Sequence, residues 1–120
     1  MEKIKSFKDL RILQKGVEIV KDVYTLTKTF PKEEVYGITG QMRRAAVSLP
    51  INVAEGFKRF HRKEYQQFLH ITLGSAAELE TLLILSAELG YASPESLQQL
   101  QEKLDHLSKM VSSLLGKLHS

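Results

Sequence analysis

The sequence predicts an all-α protein, an up-and-down antiparallel four-helix bundle, on three observations. No run alternates apolar and polar residues between turn residues, so the period-two signal of strands is missing. Apolar residues instead recur at spacings of three and four through four long segments, the period of a helix face. Proline and glycine separate these segments at positions that stop or start helices. A chain of 120 residues is the size of one domain, spanning 1–120, with its own core.

The first helix is expected over about 7–29. Ser6-Phe7-Lys8-Asp9 resembles a capping box, and Leu10, Leu13, Val17, Val20 and Tyr24 step by three and four like a bundle seam. Phe30-Pro31 ends it, because proline disfavours helical geometry in the residue before it. After a connection at 32–39, a second helix spans about 40–60, capped by Thr39, with Met42, Ala46, Leu49, Val53, Phe57 and Phe60 on one face. Pro50 removes one backbone hydrogen bond inside it, which predicts a kink rather than two helices. The third helix covers about 62–89 and stops at Gly90, with Phe68, Leu69, Leu79, Leu82, Leu83 and Leu85 as its apolar residues. Its small patch Gly74-Ser75-Ala76-Ala77 would admit a neighbouring helix closely. The fourth, about 94–118, opens with Ser93-Pro94-Glu95, a cap, a first-turn proline and an acid at the positive helix end. Leu97, Leu100, Leu104, Leu107, Val111, Leu114 and Leu118 then keep the seam without a fault.

Apolar residues also lie off these seams: Ile12, Ile19 and Val23; Ile71 and Ile84; Met110 and Leu115. A second stripe implies either wide core-facing surfaces or burial between subunits, and the expectation is a homo-oligomer.

The net charge of +3 conceals a separation. Residues 37–63 hold Arg43, Arg44, Lys58, Arg59, Arg62 and Lys63 against Glu55 alone, or +5, whereas residues 64–120 hold three lysines against seven acids, or −4. At about 100° per residue, Gln41, Arg44, Ser48, Asn52, Glu55, Arg59 and Arg62 share an arc of about 80°. One reading makes this stripe a nucleic-acid surface, since guanidinium forks along a helix match backbone phosphates and Gln41 and Asn52 can bond sugars or base edges. The other pairs the arginines with acids such as Glu64, Glu78 or Glu80, and places Asn52 and Glu55 in a polar network between helices. An acidic protein partner is a third.

Enzymatic chemistry finds no support. With no cysteine, disulfides, cysteine-ligated clusters and thiol nucleophiles are excluded. A di-iron bundle needs paired Glu-x-x-His motifs, of which there are none; Glu102/His106 and His61/Glu64 are solitary pairs. His70 lies in an apolar segment and reads as a half-buried core histidine. Gly37-Ile38-Thr39-Gly40 has neither phosphate-loop nor dinucleotide spacing. The sequence therefore predicts no catalytic residue, no metal and no cofactor. No apolar run follows Lys3 and Lys5, and no stretch approaches the roughly 18 apolar residues of a membrane span; the expectation is a cytoplasmic protein that does not engage a membrane.

The run from Gln41 to Gly56, Gln-Met-Arg-Arg-Ala-Ala-Val-Ser-Leu-Pro-Ile-Asn-Val-Ala-Glu-Gly, resembles the hallmark segment of the four-helix bundle proteins encoded in intervening sequences of bacterial 23S ribosomal RNA genes. Further matches are Phe7-Lys8-Asp9-Leu10, Tyr24 with Phe30-Pro31 and Glu34, Leu73 to Thr81, and Leu89-Gly90-Tyr91. Two departures fall in the first helix, where the family often has Trp at the place of Leu13 and commonly Ala at that of Gly16. The resemblance implies a homopentamer of short four-helix bundles. It extends to the accessory variability determinant of diversity-generating retroelements, a pentameric barrel with a basic surface that binds reverse transcriptase and template RNA. By that analogy Arg43, Arg44, Lys58, Arg59, Arg62 and Lys63 are the nucleic-acid-binding positions, with Gln41, Ser48, Asn52 and Glu55 as a polar stripe between them. The expected partners are the chain itself, RNA or DNA, and a protein partner in a scaffold or retroelement-type complex.

Overall fold

The computed structural model describes residues 10–119. Four helices follow one another: α1 (Arg11–Thr27), α2 (Ile38–Lys58), α3 (Arg62–Glu88) and α4 (Pro94–His119), with one 3₁₀ turn, Lys32–Glu34, before α2. No strand occurs among the described residues. Each helix packs on its neighbours in sequence and α1 closes on α4, while the backbones of the diagonal pairs stay apart. That cyclic adjacency is the arrangement of an up-and-down bundle, drawn out to 46 Å along its length. The capping box at Ser6 and the start of the first helix at residue 7 lie outside the described residues.

The core runs the length of the bundle: Ile19, Met42, Leu49, Leu69, Leu79, Leu83, Leu104 and Leu107 are fully buried. In α4 the regular seam is the buried one, with Leu100, Leu104, Leu107 and Val111 inside and Leu97, Leu114 and Leu118 packed against them. Ser93 caps it as expected, accepting the Ser96 N–H at 3.2 Å. Gly90, at φ +77°, ends α3 in the left-handed conformation that glycine adopts without cost.

The register of α1 differs from the expected one. Its buried residues are Ile12, Gly16, Ile19, Val23 and Thr27, while Val17 and Tyr24 are 43% and 38% exposed. The buried set keeps helical spacing but includes a glycine and a threonine, which weaken its apolar signal. Gly16 is there for space: a Cβ on it would lie 3.2 Å from the Pro50 nitrogen. The residues expected to form a second stripe on α1 are thus its core face.

In α2, Met42, Ala46, Leu49 and Val53 are buried as expected, and the helix continues through Pro50. Phe60 is not on that face. The helix ends at Lys58, and Phe60 takes φ +61° in the turn to α3 with its side chain 84% exposed. Thr39 does not cap α2 either; it lies inside the first turn, and the Ile38 N–H donates instead to Glu34 Oε1 at 3.3 Å.

On α3, Leu69, Leu79, Leu82 and Leu83 are buried and Phe68 is half-buried, but Leu85 is 46% exposed. Nothing lies within 4 Å of a Cβ on Gly74, so the close approach to α2 occurs at Ser75 and Ala76. His70 is exposed, with its ring 6.5 Å from that of His119; one residue beyond the buried Leu69, it rotates out of the core. Contrary to the sequence expectation, α3 is long and apolar enough to cross a membrane by length and composition, with a mean hydropathy of 1.4 over 18 residues. Its leucines account for this by lining the bundle core on one side, while Ile71, Ile84, Leu85 and Leu89 remain outside.

Candidate nucleic-acid interface

The six basic residues of residues 37–63 fall into two environments. Arg43 faces α1 and is half-buried. Its Nε donates to Thr27 Oγ1 at 2.9 Å, and its guanidinium carbon lies 4.6 Å from the Tyr24 ring centroid, a cation–π distance. Thr27 is oriented for this because its own hydroxyl donates to the Val23 carbonyl at 2.8 Å.

The others are exposed. Arg44 lies on the open side of α2, and Lys58, Arg59, Arg62 and Lys63 gather around the turn into α3. Arg59 extends over Phe68, 5.2 Å from the ring centroid, and forms a 3.7 Å ion pair with Glu55. Both members of that pair are about half exposed, so solvent screening leaves it weak. Among the described residues no ion pair joins Arg43, Arg44 or Arg59 to an acid of α3 or α4, so the expected pairing with Glu64, Glu78 or Glu80 does not occur for these three. Phe60 projects from the middle of this basic turn. Sequence periodicity placed it in the core; the signal that it lies outside was the density of charge on both sides of it.

The polar stripe divides likewise. Ser48 and Ser75 share a 2.7 Å hydrogen bond across the α2–α3 seam, and the Asn52 side-chain amide donates to both the Ser48 carbonyl and its Oγ at 2.8 Å. Asn52 therefore belongs to an inter-helix network, as the second sequence reading has it, but its partner there is Ser48 and not Glu55. Gln41 and Glu55 are exposed.

Two further clusters escaped the sequence reading because their members are far apart in the chain. Tyr91 donates to Glu34 Oε2 at 2.9 Å and packs its ring at a tilt against Phe30, 5.4 Å between centroids; the Glu34 carboxylate raises the tyrosine pKa by accepting that bond. Lys103 bridges α4 to Asp22 and Glu18 on α1, at 2.8 Å from Glu18. Hydrogen bonding to Asp22 raises the Lys103 pKa, and hydrogen bonding to Lys103 lowers that of Glu18. Among the described residues there is no group of three or more His, Asp or Glu that could hold a metal.

The fold and the exposed basic turn define an all-α four-helix bundle with cations gathered at the turn between α2 and α3. The family model for 23S rRNA-intervening sequence proteins matches residues 8–113, and the chain belongs to that family. Among solved structures it is similar to a protein of unknown function from the S23 ribosomal protein family of Bacteroides thetaiotaomicron. The two share 22% identity with a TM-score of 0.81, over 88% of this chain and 95% of that one. No curated protein matches.

Proposed function

We propose that this chain is a non-enzymatic, cytoplasmic, homo-oligomeric protein, a pentamer, that binds structured RNA through the exposed part of α2 and its turn into α3. The observation that carries the reading is Phe60, 84% exposed within the basic run Lys58, Arg59, Arg62 and Lys63. Exposed aromatic rings among cations offer a stacking platform for unpaired bases beside contacts to phosphates. A bulky residue at positive φ is costly, and here the backbone holds the ring out in solvent. Arg44 extends the surface along α2; Arg43, tied to Thr27 and Tyr24, contributes at its edge.

Self-association is supported by Ile51 on α2, Ile71 and Leu85 on α3 and Leu89 just past its end, each between 46% and 55% exposed. Repetition of a +5 segment around an oligomer would convert weak contacts into avidity. The same apolar residues favour a second reading, a scaffold or accessory subunit that recruits a protein partner.

A mobility-shift titration against hairpin RNA with an unpaired loop, at two salt concentrations, tests the first reading. Binding should weaken steeply with salt. Phe60→Ala should lose about 1–3 kcal/mol of affinity, and the double variant Arg44→Glu/Arg59→Glu should abolish binding with the oligomer intact. Absence of binding at low salt, or full binding by both variants, refutes it.

A further inference from the structure

Two of the four histidines, His70 on α3 and His119 at the last position of α4, meet across the α3–α4 seam although they are distant in the chain. Their ring centroids lie 6.5 Å apart with an interplanar angle of 54°. Both side chains are exposed, and among the described residues neither imidazole has a hydrogen-bond partner. The seam is clamped beside them. The Gln66 side-chain amide, one turn before His70, donates to the carbonyl of Leu118, next to His119, at 3.0 Å. The pair is therefore held in place by a contact that joins the same two helices at the same level.

Two imidazoles that bind one zinc ion at about 2.0–2.1 Å place their ring centroids about 5.2 Å apart at the tetrahedral angle and about 6.4 Å apart when opposed. The observed separation stands at the outer end of that span, and rotation of either exposed side chain about its own bonds shortens it. Space for a hydrated ion is present. Gly74 follows His70 by one turn on the same face, and Gly116 precedes His119 by about one turn; nothing lies within 4 Å of a Cβ on either glycine. Electrostatics favours a cation at this end, because His119 closes a 26-residue helix whose last carbonyls carry the negative end of its dipole. Lys117, in the same last turn, lines the groove toward Arg11 and Ile12 of α1 instead.

We infer that His70 and His119 form a two-ligand site for a borderline divalent transition ion, zinc, copper(II) or nickel(II), with water completing the coordination. Neutral imidazole nitrogen suits these ions, whereas magnesium and calcium take oxygen ligands. Bound there, the ion straps the last turn of α4 to α3. The site uses none of the residues of the proposed RNA-binding surface and does not depend on that reading.

Isothermal titration of the untagged full chain with zinc chloride and copper chloride tests it. Each ion should bind saturably, one per chain, copper more tightly than zinc, and magnesium and calcium should not bind. His70→Ala and His119→Ala should each weaken binding at least about tenfold, because a single imidazole loses the effective concentration of the second. His61→Ala/His106→Ala, which removes the other two histidines, should leave it unchanged. Excess zinc should raise the melting temperature of the parent, with the rise reversed by EDTA and lost in both single variants. Without metal these variants should melt with the parent, since both side chains are exposed, so the loss is read on folded protein. Sedimentation should give the same mass with and without zinc. No saturable binding, parental affinity in either single variant, or a zinc-dependent increase in mass, which would place the ion between chains, overturns the proposal.

Discussion

Gly16 and Gly74 are both helical glycines, yet they should respond to substitution with opposite signs. A side chain at Gly16 meets Pro50 backbone and ring atoms at 3.2–3.4 Å, and neither can move without displacing α2. Gly16→Val should therefore destabilise the protein by about 1–3 kcal/mol, the range of core overpacking. Gly74 has open space around it, so Gly74→Ala should stabilise by about 0.5–1 kcal/mol through restored helix propensity and a less disordered unfolded chain. Urea denaturation of the two variants measures both; the same sign for both would contradict the packing at Gly16. In the sequence the two glycines look alike, and Gly74, in a run of small residues, looks the better candidate for a close contact. What separates them is the neighbour opposite each.

At the scale of the helix, α1 carries two sets of residues with helical spacing, about 120° apart on its surface. Of the set read as the seam, Leu10 is buried and Leu13 and Val20 pack against the core, but Val17 and Tyr24 are outside, whereas Ile19 and Val23 are fully inside. Ile19→Ala should cost about 2–5 kcal/mol as a core truncation, and Val17→Ala under about 1 kcal/mol; equal losses would contradict this register. The attachment of α1 to α4 is electrostatic as well as apolar. Glu18, its pKa lowered by Lys103, stabilises the fold above the ordinary carboxylate range, and that contribution is lost as pH falls through the lowered value. Lys103, its pKa raised by Asp22 and Glu18, stabilises below the ordinary lysine range, and that contribution is lost as pH rises through the raised value. The melting temperature of the parent should thus exceed that of Lys103→Met most between about pH 5 and pH 10 and converge with it at both extremes. A difference independent of pH would show that only the lysine stem matters.

For the whole molecule the proposed self-association turns on the apolar residues that α3 leaves exposed. Ile71, Leu85 and Leu89 fall within about 40° of one another around the helix, and each is about half exposed. Sedimentation velocity should find a species several times the 13.6 kDa chain mass. Ile71→Asp/Leu85→Asp should reduce it to the monomer with helicity retained, since neither residue belongs to the core of the single chain. A parent that sediments as a monomer at micromolar concentration would remove both the oligomer and the avidity expected of its basic turns.

The helices were legible because their signals are local: Ser93 and Pro94 starting α4, Gly90 ending α3, and the unbroken leucine spacing of α4 require no knowledge of a partner surface. The clustering of arginine between residues 43 and 62 was legible for the same reason. Which face of α1 turns inward was not, because Gly16 and Thr27 serve there through fit and hydrogen bonding rather than through apolarity. Nor was the division of the basic residues, since Arg43 meets Thr27 and Tyr24 only when α1 and α2 pack. Phe60 follows the periodicity of α2 in the chain but leaves the helix two residues after its last turn closes. Periodicity reports what a residue could bury; burial itself depends on the surface that arrives opposite it, and that surface exists only in the folded bundle.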